Sequence, residues 1–283
     1  MRLILQFRQA WLIAGLLAST LVTATIAQDQ PPKPAEKPVE VAAPSAPLAP
    51  SADSAPAAAA RREAAPVAPA TISAPRPGVW IKQHEAFLDR AKKGPVDLLF
   101  LGDSITAQWR NAPAVWSRYY APRQAANFGI GGDRTQHILW RLENGEVDGI
   151  RPKVVVLMIG TNNTGSNTEA EVAEGVKAIV ERLRSKLPDT KILLLGIFPR
   201  GSNRDRTIPS VTPDPKIARI NARIAALDDQ KMVKYLDIGV VFLDEAGRVS
   251  RATMPDFLHL TPIAYQTWAD AIEPTLWDMM EAK

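Results

Sequence analysis

Five short runs of apolar residues recur along residues 96–236, and stretches with helical spacing lie among them. The strongest run, Val154–Ile159, consists of uncharged and mostly β-branched residues. This composition is expected for a strand that is buried on both faces of a parallel sheet. The runs predict strands at Val96–Leu101, Asn127–Ile130, Val154–Ile159, Ile192–Ile197 and Val233–Leu236.

Amphipathic stretches predict the helices of the same region. Over Glu169–Leu187, apolar residues return every three to four positions, with acidic and basic residues on the opposite face. Pro215–Leu227 and Pro262–Met280 show the same spacing. Thr261 supplies a hydroxyl cap before Pro262, which occupies the first helical position. Strands and helices therefore alternate, which predicts an α/β sandwich with a mostly parallel sheet.

Residues 1–27 have the features of an export signal. Arg2 and Arg8 precede the uncharged stretch Ala10–Ala27, in which Thr25 and Ala27 suit the −3 and −1 positions of a cleavage site. These 18 uncharged residues are also just long enough to span a bilayer, so an uncleaved signal anchor is the alternative. Either form places the remaining chain outside the cytoplasm, in the periplasm, the cell envelope or the medium.

Residues 28–78 have the composition of a linker. They contain half of the 24 prolines, 16 alanines and no aromatic residue. Such a stretch offers little apolar surface to offset the entropy of ordering. We therefore expect a disordered, semi-stiff Pro/Ala-rich spacer. Residues 79–283 then form one domain, which is large enough for a single buried core.

The composition removes several classes of function. The chain has no cysteine, which excludes a disulfide scaffold, a thiolate metal site and a cysteine nucleophile. The three histidines, His84, His137 and His259, are far apart in sequence, which argues against a multi-histidine metal site. The net charge of +4 is small for 283 residues. Because no basic run stands out, we expect no nucleic-acid partner.

Polar and glycine-rich segments follow the first two predicted strands, at the strand ends where open α/β sheets place their sites. Ser104, within Gly102-Asp103-Ser104, would lie at a helix start, either as a nucleophile or as a plain helix cap. The segment Asn127–Asp133 is rich in glycine, which lets backbone N–H groups approach a ligand or simply forms a turn. It lacks the spacing of the dinucleotide and P-loop fingerprints.

Two further segments complete a set of residues suited to acyl transfer. Asn162 follows the strongest strand, where its amide could donate to an oxyanion or serve in a turn. Asp256 precedes His259 by three residues. That spacing lets the carboxylate accept from Nδ1 and leaves Nε2 to take a proton from a serine. Each signal is weak alone, but together they supply a nucleophile, a base, an orienting carboxylate and oxyanion donors.

The sequence resembles the SGNH (GDSL) hydrolase family. Gly102-Asp103-Ser104, Gly132, Asn162 and Asp256-x-x-His259 match the four motif blocks of that family in their order. Longer strings are similar to the platelet-activating-factor acetylhydrolase Ib type of catalytic subunit within the family. These strings are Asn127–Asp133, Leu139–Glu146, Val154–Asn163 and Asp256–Thr261. The resemblance covers about residues 95–280, and Gly201–Pro215 is longer than its family counterpart.

This resemblance implies a three-layer α/β/α sandwich with a mostly parallel, flavodoxin-like five-stranded sheet. It also implies ester hydrolysis through an acyl-enzyme, without a metal or an organic cofactor. Ser104 would be the nucleophile, His259 the base and Asp256 the carboxylate that orients it. The backbone N–H groups of Ser104 and Gly132 and the side-chain amide of Asn162 would form the oxyanion hole. The resembled subunits form dimers, so a homodimer is one expected assembly.

The expected substrate is a small-molecule or glycan acyl ester. An exported esterase on a spacer meets cell-envelope glycans first, so we expect short acyl groups, above all acetyl, on carbohydrate. Hydrolysis of a short-chain phospholipid or aryl ester is one alternative, and O-acyl transfer by the same triad is another. A membrane tether is expected only if the signal is not cleaved.

Several other residues are expected to have structural positions. Asp103 is predicted to brace the turn before Ser104, and His84 is predicted to be structural. His137 is predicted to lie on a solvated helix face. Four tryptophans are predicted to face the core from helices: Trp109, Trp116, Trp268 and Trp277.

Overall fold

The computed structural model of the protein describes residues 69–201 and 207–281. The predictions for residues 1–27 and for residues 28–68 of the linker lie outside the described residues. Strands and helices alternate along the described chain. The strands are β1 (Leu98–Gly102), β2 (Ala125–Gly129), β3 (Val154–Met158), β4 (Lys191–Leu195), β5 (Ser210–Val211), β6 (Val233–Leu236) and β7 (Val249–Ser250). The α-helices are α1 (Val79–Lys92), α2 (Ser104–Ala107), α3 (Pro113–Tyr119), α4 (Thr135–Glu143), α5 (Glu169–Lys186), α6 (Pro215–Ile224) and α7 (Pro262–Glu281).

Five of these strands form one parallel sheet in the order β2-β1-β3-β4-β6. The predicted α/β fold with a mostly parallel five-stranded sheet is confirmed, and each predicted strand lies within two residues of its observed ends. Gly102 pairs with Gly129 on one side and with Met158 on the other. The carboxyl ends of β1, β2 and β3 therefore lie side by side, which brings the segments that follow them to one edge of the sheet.

The sheet is buried on both faces. Leu99 and Leu101 of β1 contribute to one apolar cluster with α4, α5 and α6, whereas Leu98 and Phe100 contribute to a second cluster with α7. Successive strand residues point to opposite faces, so each strand serves both clusters and needs apolar residues throughout. Helices on both faces of one sheet make the predicted three layers.

The domain begins before residue 79. Ala70 is buried, and its carbonyl accepts a 2.7 Å hydrogen bond from Thr135 Oγ1. The Ala74 N–H donates to the carbonyl of Gln136 at 3.1 Å. These contacts place residues 69–78 with the domain rather than with the linker. We refer to residues 69–78 as the strap.

Two of the four tryptophans are fully buried, as predicted: Trp109 and Trp268. The prediction for Trp277 is wrong, because this side chain is 55% exposed and lies beside the guanidinium of Arg123. Its neighbour Leu276 is buried instead. Consecutive helix residues are separated by about 100° around the axis, so both cannot face the core. Trp116 is half-buried. No helix within residues 69–201 and 207–281 has the length and apolar character needed to cross a bilayer.

Candidate active site

Ser104 is the first residue of α2, directly beyond the end of β1. A Cβ on Gly102 would stand 2.2 Å from Thr106 Oγ1 and 2.5 Å from the carbonyl oxygen of Met158. Only glycine therefore lets the first turn of α2 fold back this closely over β1 and β3. Asp103 braces the turn as predicted, because its Oδ1 accepts the Ile105 N–H at 2.9 Å. These contacts hold the Ser104 hydroxyl at the edge of the sheet.

His259 lies between two of the predicted site residues. Its Nε2 is 2.9 Å from Ser104 Oγ, although the two residues are 155 positions apart in the chain. Its Nδ1 is 2.6 Å from Asp256 Oδ2. The structure thus brings the predicted nucleophile, base and orienting carboxylate into one continuous hydrogen-bonded row, which is the arrangement required for proton transfer from a serine hydroxyl.

The loop that carries Asp256 and His259 has a strained backbone. Phe257 has a φ of 60°, an uncommon conformation for a bulky residue that costs on the order of 1–3 kcal/mol. Its ring is fully buried, and the Arg251 guanidinium lies 4.1 Å from the ring centre. Packing of this ring fixes the sharp turn that directs Asp256 to His259 Nδ1 and His259 Nε2 to Ser104.

Asp256 is held in its ionised form. Burial alone would raise the pKa of this carboxyl, but hydrogen bonds from the backbone and side chain of His259 and from the Leu258 N–H outweigh it. The net result is a pKa below the usual range for aspartate. An anionic Asp256 favours the Nδ1–H tautomer of His259 and leaves Nε2 to face Ser104.

Gly132 lies in the turn Ile130–Asp133, immediately beyond β2. The Asp133 N–H donates to the Ile130 carbonyl at 3.2 Å, and Gly132 has a φ of 78°, as in a type II turn. A Cβ on Gly131 would stand 3.9 Å from the Ser104 Cβ. The turn that contains the predicted oxyanion donor therefore lies beside the predicted nucleophile.

Asn162 joins this turn to the segment before Ser104. Its Nδ2 donates to the Asp133 carbonyl at 2.8 Å and lies 3.5 Å from Asp103 Oδ2. Asn162 belongs to the short 3₁₀ turn Thr161–Asn163, just beyond β3. The predicted site residues thus lie along the adjacent ends of β1, β2 and β3 and in the loop before α7. These residues are Ser104, Gly132, Asn162, Asp256 and His259.

Asp103 also affects the electrostatics of the site. Burial raises the pKa of this carboxyl to about 7, with a further contribution from Asp133 and opposition from the Ile105 N–H and Arg200. Arg200 lies nearby, because its Nη1 donates to the Thr161 carbonyl at 3.1 Å. The carboxyl next to Ser104 is therefore only partly charged at neutral pH, which limits the negative charge beside this hydroxyl.

A buried cluster of charged side chains, Arg141, Asp133 and Glu146, holds the last residue of the turn that contains Gly132. The Arg141 guanidinium donates to Asp133 Oδ2 and to Glu146 Oε1 and Oε2, each at 2.6 Å. Trp80 Nε1 donates to Asp133 Oδ1 at 2.6 Å, and His84 Nδ1 lies 3.1 Å from Glu146 Oε2. The cluster fixes Asp133, whose backbone closes the turn and binds Asn162. His84 is structural, as predicted.

The prediction for His137 is wrong. Its side chain is only 13% exposed, and its Nδ1 accepts the Arg134 N–H at 3.0 Å at the start of α4. Burial, with smaller contributions from Arg76, Arg134 and Arg141, lowers the pKa of His137 to about 4. The ring is therefore a neutral helix cap rather than a solvated residue.

An esterase is the class of enzyme that this fold and site define, and comparison with known proteins agrees. The GDSL-like lipase/acylhydrolase family matches residues 100–267, and the chain belongs to this family. It is therefore a carboxylic ester hydrolase.

The similar proteins include both curated sequences and solved structures. The chain is 38% identical over 206 residues to platelet-activating factor acetylhydrolase IB subunit alpha2 of Gallus gallus, covering 71% of this chain and 85% of that one. It is 37% identical over 203 residues to the alpha1 subunit of Homo sapiens, covering 70% and 83%. A GDSL-like lipase from Bacteroides thetaiotaomicron shares the fold, with a TM-score of 0.56, 22% identity and coverage of 69% and 97%.

Proposed function

We propose that the protein is an exported serine esterase that removes acetyl groups from O-acetylated carbohydrate through an acyl-enzyme. One observation supports hydrolysis through an acyl-enzyme on Ser104. The imidazole of His259 is hydrogen-bonded to Ser104 Oγ at 2.9 Å and to Asp256 at 2.6 Å. A histidine in this position can move a proton from the hydroxyl to a leaving alcohol without leaving its place.

Acylation begins when Ser104 Oγ attacks the ester carbonyl carbon and its proton passes to His259 Nε2. Asp256 stabilises the imidazolium that forms. The negative oxygen of the tetrahedral intermediate accepts hydrogen bonds from the backbone N–H groups of Ser104 and Gly132 and from the amide of Asn162. Loss of one such donor typically raises the barrier by about 3–4 kcal/mol.

Collapse of the intermediate breaks the bond to the alcohol. His259 returns its proton to the departing oxygen, which leaves the acyl group on Ser104. Water then enters, gives its proton to His259 and attacks the acyl carbonyl. A second collapse returns the proton to Ser104 Oγ and releases the carboxylic acid.

Two considerations support an acetyl group on an extracellular carbohydrate. The curated relatives, at 37–38% identity, are named as acetylhydrolases, which favours a short acyl group. The export signal expected at residues 1–27 would carry the domain to the envelope or beyond, where O-acylated glycans are accessible substrates. The relatives are named for platelet-activating factor, so a short-chain lipid ester is the second candidate.

The reaction is tested with p-nitrophenyl acetate and a fluorophosphonate probe on the full chain. We expect turnover and labelling in the wild type and neither in Ser104→Ala. Ser117→Ala is the matched control, because Ser117 is an exposed serine of α3 and its loss should change nothing. Normal turnover by a folded Ser104→Ala variant would eliminate the proposed nucleophile.

The substrate is tested by comparing acetate release from acetylated glycans with release from short-chain lipid esters. Faster release from the glycans supports the proposal, whereas faster release from the lipids favours the second candidate. Addition of an unacetylated sugar acceptor, followed by product analysis, reports O-acyl transfer. Export is tested by fractionating cells and determining the mature N-terminus, with retention of the intact chain in the cytoplasm as the contradicting result.

A further inference from the structure

The strap brings a guanidinium against the turn that contains Gly132. Arg76 Nη1 donates to the Gly131 carbonyl at 2.7 Å, across 55 positions of the chain. The same nitrogen lies 3.3 Å from Asp133 Oδ1. A Cβ on Gly132 would stand 3.3–3.4 Å from the two terminal nitrogens of Arg76. The guanidinium thus lies directly on the peptide between Gly131 and Gly132.

This peptide decides where the Gly132 N–H points. The Gly131 carbonyl and the Gly132 N–H belong to one planar trans unit and point in opposite directions. In the turn Ile130–Asp133 it is the central peptide, and rotating it by about half a turn converts a type II turn into a type I turn. Such a flip would turn the Gly132 N–H away from its present direction. Because both flanking residues are glycines, no Cβ opposes the flip.

We propose that Arg76 is a positioning residue of the oxyanion hole. By binding the Gly131 carbonyl, it holds the central peptide of the turn with the Gly132 N–H facing the reacting carbonyl. The bond also polarises the peptide, because a cation at a carbonyl oxygen strengthens the N–H of the same amide as a donor. This inference rests on the proposed function, in which Gly132 is an oxyanion donor.

The surrounding charges leave Arg76 available for this role. Asp133 Oδ2 is already bound by Arg141 at 2.6 Å, and its Oδ1 accepts from Trp80 at 2.6 Å. Asp133 therefore has closer donors than Arg76, whose shortest contact in the described chain is the Gly131 carbonyl. A hydrogen bond from a charged donor is stronger than one between neutral groups, and no side chain at either glycine competes with it in setting the orientation of this peptide.

The strap does not depend on Arg76 for its attachment. The buried Ala70 carbonyl accepts from Thr135 Oγ1 at 2.7 Å, and the Ala74 N–H donates to Gln136 at 3.1 Å. A Cβ on Gly175 of α5 would stand 2.8 Å from the Ala70 carbonyl oxygen, so the strap lies directly on this helix. Truncating Arg76 should therefore leave the strap in place and remove only the contact with the turn.

The experiment measures kcat and KM of the full chain with p-nitrophenyl acetate. We expect Arg76→Ala to lower kcat about 10- to 100-fold, the equivalent of one charged hydrogen bond, while KM changes less than about threefold. Arg76→Lys should recover part of the loss, and millimolar guanidinium chloride should partly rescue Arg76→Ala. Arg90→Ala is the control: it removes an equal charge from α1, where Arg90 binds the Gly94 and Pro95 carbonyls, and kcat should not change.

Thermal unfolding of each variant separates positioning from folding. If Arg76→Ala does not fold, Arg76→Gln and Arg76→Lys carry the same comparison. An unchanged kcat, a loss seen only in KM, or a loss that neither lysine nor guanidinium restores would overturn the role of Arg76. Ser104→Ala is measured alongside. If Ser104→Ala is inactive while Arg76→Ala has the wild-type kcat, only the role of Arg76 is rejected. If Ser104→Ala is active, the proposed function itself is rejected.

Discussion

Asp256 and His259 are joined twice, once through the side chain and once through the backbone. Asp256 Oδ2 lies 2.6 Å from His259 Nδ1, while Oδ1 accepts the His259 N–H at 2.7 Å. The second bond, together with one from the Leu258 N–H at 3.1 Å, is the local turn that aspartate commonly forms with its own following backbone. The three-residue spacing therefore positions the imidazole through a single short loop.

This double contact predicts the outcome of Asp256→Asn. An asparagine oxygen can keep the turn by accepting the backbone N–H groups, but an amide neither stabilises the imidazolium nor selects the Nδ1–H tautomer as a carboxylate does. We expect kcat to fall by about 10³- to 10⁴-fold with thermal stability nearly unchanged. Steady-state kinetics and a melting curve are the measurements.

Asp244→Asn is the matched control for this substitution. Asp244 Oδ1 accepts the Ala246 and Arg248 N–H groups at 3.0 and 2.9 Å in an exposed turn. The same chemical change there should leave kcat at the wild-type value. Equal kcat values for Asp256→Asn and the wild type would contradict the orienting role of Asp256.

Asn162 and Asn163 are neighbours with separable roles. Asn162 Nδ2 donates to the Asp133 carbonyl at 2.8 Å and lies 3.5 Å from Asp103 Oδ2, and the proposed mechanism uses its amide at the oxyanion. Asn162→Ala should lower kcat about 10²- to 10³-fold with a small change in stability. Kinetics with p-nitrophenyl acetate test the first expectation, and urea unfolding tests the second.

Asn163→Ala should show the opposite result. Asn163 is buried, and its Oδ1 accepts the Thr135 N–H at 3.0 Å, while Nδ2 donates to Gln136 and Asn167. Truncation leaves these buried groups unpaired, which costs about 1–3 kcal/mol of unfolding free energy. The folded fraction should keep its kcat. If both alanine variants lost activity equally, the turn as a whole would matter and Asn162 would have no separate role.

The fold was predictable because the sheet is buried on both faces. Continuous apolar runs such as Val154–Met158 have few other structural interpretations, so strands were located to within two residues. The helices α1 and α3, which bury few side chains, escaped prediction. The antiparallel pair β5–β7 also escaped, because each strand has only two residues, which is too short for a periodic signal.

The residues predicted to form the site have side chains that can act as a nucleophile, a base or a hydrogen-bond donor. Ser104, Asn162 and His259 follow strands or precede a helix, where side chains are exposed at the sheet edge. Arg76 is not singled out by the sequence, because it lies in a Pro/Ala-rich stretch whose composition indicates a spacer. The carboxylate partners of Arg141, Asp133 and Glu146, follow from tertiary contacts that carry no sequence pattern.

The buried Arg141 predicts a large loss of stability on substitution. Its guanidinium is fully buried and pairs with two carboxylates that are also fully buried. Arg141→Met leaves Asp133 and Glu146 without their main cation, and breaking such a pair costs about 3–5 kcal/mol. Urea unfolding of the variant measures this cost.

Arg182→Ala provides the comparison on the surface. Arg182 pairs with Glu143 at 3.0 Å, but the two side chains are 42% and 32% exposed. Water and salt screen such a pair, so its loss should cost no more than about 1 kcal/mol. Similar losses for both variants would show that the Arg141 cluster contributes no more than a surface ion pair.

Asp103 predicts a pH dependence of stability with a definite sign. Burial raises its pKa from 3.8 to about 7 in the folded chain, so the folded state retains a proton that the unfolded chain has already released. Stability from this group is therefore complete below pH 3.8 and is lost as the pH rises toward 7. Asp103→Asn removes the titration but keeps an oxygen that can accept the Ile105 N–H.

Urea unfolding of the wild type and Asp103→Asn at pH 5 and pH 8 isolates the contribution of Asp103 to stability, because both proteins share all other titrating groups. Between these values the wild type should lose about 2–3 kcal/mol relative to Asp103→Asn. A difference that stays constant with pH would mean that the nearby charge of Arg200 and the amide of Asn162 keep Asp103 ionised. Its negative charge would then oppose the oxyanion of the proposed mechanism at neutral pH, and the donors proposed at Asn162 and Gly132 would have to act against it.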